Sequence, residues 1–251
     1  MVSIVLQPKK KITIGIVGKY MDHHDAYKSV FEALHHAAIA EGVDLEIRRY
    51  ESDRIQDEAS IRGCDGYVVP GGFGERGWEG KVLTARYCRE KNIPYFGLCL
   101  GMQVMIVEFA RNVLGLEGAH STEVNPNTTH PVISMLSEQK QIVNLGGTMR
   151  LGAYPCEIKP GSLAFKAYEK KLISERHRHR YEFNNSYKQA FEEKGLLFSG
   201  TLEKGLLCEI AENPRCTWML GVQFHPEFKS KPLEPHPLFR DFISHVAHRR
   251  N

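Results

Sequence analysis

The chain has 251 residues, 42% hydrophobic and 25% charged, enough apolar material to bury a core in one large domain or two small ones. Its net charge of +3 is too small and too dispersed to call for nucleic acid or a membrane surface as partner. No apolar segment follows the basic start, so neither a signal peptide nor a membrane-spanning helix is expected. Six cysteines without Cys-x-x-Cys spacing read as reduced, mostly buried thiols of a cytoplasmic protein.

In chain order, Ile12 to Gly18 is a glycine-terminated apolar run suited to a strand buried on both faces. Asp25 is placed to cap a helix ending near Glu41, with Val30, Leu34, Ala37 and Ala38 on one stripe and Gly42 as its stop. Val43 to Ile47 alternates like a strand. Asp65 to Pro70 reads as a second buried strand that runs into Gly71-Gly72-Phe73-Gly74. A helix is expected over 78–91, a third buried strand over 93–97 and a helix over 100–112. This alternation predicts an α/β fold, a mostly parallel doubly wound sheet flanked by helices, with functional groups beyond the carboxyl ends of the strands. From about 120 to 200 the pattern loosens and turn residues become frequent. Short strands are expected over 197–202, 206–211 and 217–224, and a closing helix over 235–247. No internal repeat or convincing linker divides the chain.

Gly97-Leu98-Cys99-Leu100-Gly101 lies between the apolar run Ile93 to Phe96 and a helical pattern from Met102. That is the strand, sharp turn and helix that a nucleophile elbow needs. The flanking glycines let the backbone bend and keep Cβ groups away from a substrate. The helix would aim its N-terminus at the sulfur, favouring the thiolate. Far downstream, Phe224-His225-Pro226-Glu227-Phe228 closes another apolar strand; His225 can relay a proton and Glu227 can orient it. Taken singly, a cysteine is as readily a core residue and a histidine a structural one. Together the two motifs point to acyl transfer by a cysteine nucleophile.

Gly71 to Gly74 is either a plain turn or, with the Leu100 N–H, an oxyanion hole. Arg176-His177-Arg178-His179-Arg180 reads as a solvated face or a clamp for a substrate carboxylate, since neither stacking aromatics nor cysteine ligands accompany it. No metal site is expected, and the absence of Gly-x-x-x-x-Gly-Lys-Ser/Thr excludes a phosphate loop of that type. For Gly147 to Gly152 the residues alone leave a turn and strand, or something more, open.

At this point the chain resembles the class I, triad-type glutamine amidotransferases, which hydrolyse glutamine to release ammonia. Within that family it is similar to the carboxy-terminal glutaminase domains of bacterial CTP synthases. The similarity rests on Val17-Gly18-Lys19-Tyr20, Asp25 to Val30, Pro70 to Gly74, Cys99 to Gln103, Gly147 to Gly152, Arg176 to Glu182 and Gln223 to Phe228. The resemblance implies Cys99 as nucleophile, His225 as base and acid, and Glu227 as its orienter, with a γ-glutamyl thioester intermediate. It implies oxyanion and substrate contacts at Gly72, Leu100, Gly101 and Met102. Gln103, Glu123, Arg180 and Tyr181 match positions that hold the α-amino and α-carboxylate groups of L-glutamine. The ammonia would serve amination of UTP to CTP in a CTP synthase synthetase domain, fused or separate. Residues 1–11 then read as a linker remnant and 12–251 as the glutaminase domain, with the synthetase domain absent. No cofactor is expected in this chain; ATP, UTP, Mg and GTP belong to the complete enzyme, and a homo-oligomer is possible. The alternatives are a stand-alone γ-glutamyl amidase or peptidase, or a catalytically idle regulatory module.

Overall fold

The computed structural model describes residues 9–21, 23, 25–135, 149–202 and 205–249. Strand β1 (Lys11–Gly18) leads to helix α1 (Lys28–Glu41), β2 (Asp44–Glu51), β3 (Gly66–Val69), α2 (Trp78–Glu90), β4 (Tyr95–Leu98) and α3 (Leu100–Asn112). Then follow β5 (His120–Ser121), β6 (Pro131–Ser134), β7 (Arg150–Ile158), α4 (Leu163–Tyr168), β8 (Leu172–His179), β9 (Glu182–Phe183) and α5 (Lys188–Glu193). The chain closes with β10 (Leu197–Leu202), β11 (Leu207–Glu212), β12 (Met219–Val222) and α6 (Pro237–His248).

Nine strands form one sheet in the order β2-β1-β3-β4-β12-β11-β10-β7-β8. From β2 to β12 every pairing is parallel, as the strand–helix alternation predicts; from β12 to β8 every pairing is antiparallel. In the parallel half a helix follows β1, β3 and β4, whereas the antiparallel half is built largely from hairpins that leave a weaker periodic signal. The longest of these hairpins, β7 with β8, falls where the sequence pattern loosens.

Helices cover both faces, as a doubly wound sheet requires. One core gathers Val82, Ala85 and Cys88 of α2 and Met102, Met105 and Ile106 of α3 under Tyr67 and Tyr95. The opposite core gathers Val30, Leu34 and Ala37 of α1 and Phe239, Phe242 and Val246 of α6 against Ile14, Phe96 and Trp218. No helix among the described residues is long and apolar enough to cross a membrane.

One expected cap is corrected. Asp25 lies in a turn, and α1 begins at Lys28 behind Tyr27, which has φ 63° and makes no side-chain cap hydrogen bond. Asp25 contributes only its carbonyl, which accepts from the Lys28 N–H. Gly42 does close the helix, in the left-handed conformation (φ 66°) and with its N–H on Ile39 O.

The turn between β4 and α3 is fixed by two close approaches. A Cβ on Gly97 would lie 2.6 Å from the Gly101 carbonyl, and one on Gly101 would lie 2.1 Å from Val69 O of the neighbouring strand. These glycines therefore serve backbone packing behind the turn, not clearance for a substrate in front of it. Gly101→Ala should cost about 1–3 kcal/mol by overpacking, lowering the midpoint of thermal unfolding by several degrees. Ile39→Ala, on a side chain 68% exposed, should stay within about 0.5 kcal/mol. Thermal melts of the two variants beside the parent make the comparison.

Candidate active site

Cys99 caps α3 with φ 51° and ψ −102°, a strained conformation for a non-glycine residue. Its N–H donates to Val222 O at 2.7 Å, and its carbonyl accepts from the Met102 N–H at 3.1 Å. The sulfur thus stands at the carboxyl end of β4 over the N-terminus of a helix. Leu100 occupies the first helical position, whose N–H has no acceptor within the helix.

β12 runs parallel to β4, with Gly221 opposite Gly97 and Val222 opposite Leu98. The residues just beyond β12 therefore emerge beside those just beyond β4, which is how His225 reaches Cys99. The His225 N–H is tied to Arg176 O at 2.8 Å, and its Nδ1 lies 2.8 Å from Glu227 Oε1. Glu227 is buried, and its Oε2 has no partner. Burial pulls the His225 ring toward neutrality. The charge and hydrogen bond of the Cys99 sulfur, and then those of Glu227, outweigh it and raise the imidazole from 6.5 to about 10. Phe228 stacks on the ring, with centroids 5.5 Å apart.

A cavity of about 390 Å³ opens in front of the sulfur. Gly72, Leu100, Gln103, Glu123, Arg180 and Tyr181 border it with Cys99, so six of the eight contacts expected from the sequence converge there. The other two do not. Gly101 is held under β3 and accepts from the Tyr95 hydroxyl at 2.9 Å, while Met102 is fully buried in the core beneath the elbow. Both lie behind the helix start, where a side chain packs on the sheet. Gly147 and Thr148 lie outside the described residues; Met149 of the same segment borders the cavity.

Several partners differ from the simplest expectation. Glu123 Oε1 accepts from the Gly74 N–H at 2.9 Å, so the acidic group at the cavity wall also holds the glycine-rich loop. Lys19 reaches the carbonyl of Phe73 in the same loop, and Arg76 reaches the carbonyl of Lys19. The loop is latched on both sides, more than a simple turn requires.

The basic run forms the end of strand β8, with Arg180 just beyond it, and it alternates. Arg176, Arg178 and Arg180 are exposed while His177 and His179 are buried. Arg178 borders the cavity beside Arg180, so the run places two guanidinium groups at the site, whereas Arg176 is not in that lining. Behind the strand, Arg150 Nη1 lies 3.0 Å from Glu182 Oε1, and Nη2 lies 2.9 Å from Glu209 Oε1 but off the hydrogen-bonding direction. His177 Nδ1 and His179 Nε2 are 2.8 Å apart, and His179 Nδ1 faces Tyr181 O at 3.3 Å. Because a carbonyl only accepts, His179 donates from Nδ1 and receives the His177 proton at Nε2. Burial, then the Arg150 charge, pushes His177 down to about 3, and burial pushes Glu182 up against the pull of Arg150. His177, His179 and Glu209 are the residues among those described whose donor atoms cluster within 4.8 Å as metal ligands would. With the two rings bonded to each other and a guanidinium against Glu209, the group already has its counter-charge. It reads as an internal support for β8.

The fold and this constellation meet a known family. The Glutamine amidotransferase class-I family model matches residues 22–245, and the chain belongs to that family. It is 62% identical over 244 residues to the CTP synthase of Protochlamydia amoebophila, covering 95% of this chain and 45% of that protein. It is 52% identical over 247 residues to the CTP synthase of Bacillus velezensis, covering 97% of this chain and 46% of that protein. The chain thus spans somewhat less than half the length of these relatives. Among solved structures, the glutaminase domain of Trypanosoma brucei CTPS with bound acivicin is 38% identical, with a TM-score of 0.89 over 96% of this chain and 95% of that one.

The raised His225 value carries a pH signature. A folded value of about 10 against 6.5 gives a contribution to stability that is fully present below pH 6.5 and lost as pH rises through about 10. An NMR titration of the His225 ring should find the high midpoint in the parent and a lower one in Cys99→Ala, because the sulfur supplies the larger raising contributions. A midpoint near 6.5 in both would show that the sulfur and the ring do not interact.

Proposed function

We propose that this chain hydrolyses the side-chain amide of L-glutamine to glutamate and ammonia, and that the ammonia serves amination of UTP to CTP by a synthetase domain of the CTP synthase kind. The observation that carries the reading is Cys99 at a strained strand–helix elbow, flanked by the His225–Glu227 pair and facing a cavity that Arg180 and Glu123 also line.

In this reading Cys99 Sγ attacks the carboxamide carbon, and the carbonyl oxygen takes the negative charge against the N–H groups of Leu100 and Gly72. His225 passes its proton to the leaving nitrogen, so the C–N bond breaks, ammonia departs and a γ-glutamyl thioester remains on Cys99. Water then attacks the thioester carbon while His225 accepts its proton; the C–S bond breaks and glutamate leaves. Glu227 keeps the ring oriented and offsets the charge it carries. In the cavity lining, Arg180 presents a planar fork to the α-carboxylate and Glu123 an anion to the α-ammonium. Gln103 and Tyr181 complete that wall. Residues 12–251 form the glutaminase unit in this scheme; sites for ATP, UTP and Mg belong to the synthetase partner.

Incubation of the purified chain with glutamine should release glutamate and ammonia in equal amounts. Cys99→Ala should abolish the release with the thermal midpoint preserved. His225→Ala should be nearly inactive. Glu227→Gln should retain part of the activity, because an amide still orients the ring without balancing its charge. Hydrolysis that persists in Cys99→Ala would overturn the assignment.

The carboxylate contact is testable separately. Arg180→Ala removes a charge-assisted hydrogen bond of about 1.5–3 kcal/mol, expected chiefly as a higher KM for glutamine, since the contact is present before and during the reaction. Glutaramide, which lacks both α groups, should be a poor substrate for the parent and lose little more in the variant. Equal proportional losses on the two substrates would assign Arg180 to the fold.

A further inference from the structure

Gln223 is fully buried directly beyond β12, and its side chain points back at the nucleophile rather than at the His225–Glu227 pair. Its Nε2 lies 3.7 Å from Cys99 Sγ, within reach of a hydrogen bond to sulfur. Its Oε1 accepts from Gln103 Nε2 at 3.2 Å, and the same Gln103 nitrogen donates to Tyr181 O at 3.1 Å. The direction of this chain follows from donor and acceptor counting. The Tyr181 carbonyl can only accept, so the Gln103 amide must turn its NH₂ toward it. That NH₂ also faces Gln223, so Gln223 must offer it oxygen and turn its own NH₂ toward the sulfur. The Gln223 backbone is held as well, its N–H donating to Glu209 O at 2.8 Å.

We infer that Gln223 is a positioning residue for the Cys99 nucleophile: it donates a hydrogen bond to the sulfur and anchors it, through Gln103, to the Tyr181 backbone at the substrate wall. The inference rests on Cys99 being the nucleophile and deepens that reading. A sulfur that carries negative charge gains from every donor aimed at it, and Gln223 supplies one from the side of the sheet. Because the amide is itself held by Gln103, it cannot follow the sulfur elsewhere and so defines where the sulfur rests. Tyr181 stands next to Arg180, so the same chain fixes the spacing between the attacking atom and the group that grips the substrate. Gln103 is thereby a strut as well as a wall residue.

The test follows the sulfur itself and needs no turnover. Alkylation of Cys99 by iodoacetamide is measured against pH by the mass of its peptide, in the parent, Gln223→Met and Gln223→Asn. Met keeps the volume without the amide, and Asn keeps an amide withdrawn by one methylene. Both should move the midpoint of the profile up by about one unit and slow alkylation near neutral pH about tenfold, the scale of one hydrogen bond to a charged atom. With glutamine, kcat should fall while KM changes little. Profiles that superimpose on the parent's, with only the melting midpoint lowered, would overturn the inference and leave Gln223 as core packing. If Gln223→Met fails to fold, Gln223→Asn alone decides by the same criterion. Preferential alkylation of another cysteine in the parent would instead count against Cys99 as nucleophile, an outcome distinct from either.

Discussion

Everything at the site depends on the parallel pairing of β12 with β4. The register that sets Val222 beside Leu98 is sealed at its end by the hydrogen bond from Cys99 N–H to Val222 O. Two segments separated by almost half the chain thereby finish at one level of the sheet, one with a cysteine and the other with a histidine. Carboxyl ends of parallel strands are where a doubly wound sheet leaves its crevice. A displacement of either strand by one residue would reverse its side-chain faces and take Cys99 and His225 apart.

Strain is concentrated at the same point. Cys99 holds a positive φ that a non-glycine residue adopts only when its surroundings enforce it. The enforcement is steric. Gly97 and Gly101 let α3 start against β4 and β3 with almost no clearance, and the fully buried Met102 locks the helix from beneath. The two glycines of the motif and the conformation of the cysteine between them are therefore a single packing solution.

The parallel half was open to reading from its residues. Buried apolar runs, each ending in glycine or proline, marked β1, β3 and β4, and the 3.6-residue period marked α1, α2 and α3. The Cys99 and His225 motifs pointed to acyl transfer because each lies at the end of a strand. The antiparallel half was less open. β8 alternates arginine with histidine toward its end, β7 carries Gly152 and Pro155 and buries Arg150, and an inward histidine, glutamate or arginine gives no apolar signal. Burial there is made possible by charge pairing around Arg150, which only the fold brings together. The same limit applies to Asp25, a good cap by residue type that the left-handed Tyr27 displaces from the helix start. Gly101 and Met102 show the converse: adjacency to Cys99 in the chain said nothing about which way the helix turns them.

Strand β8 also bears on how this protein can change. Its outward arginines and inward histidines have opposite requirements, so a single inserted or deleted residue would bury guanidinium groups without partners and expose the rings that support them. The strand is tied by pairing with β7 along its length and, near its middle, by the bond from His225 N–H to Arg176 O. Variation in length is therefore shut out of this strand and left to the turns around Gly161 and Gly195, which join elements without entering the cavity wall. Over evolutionary time β8 should behave as a ruler, changing its markings by substitution and never its length.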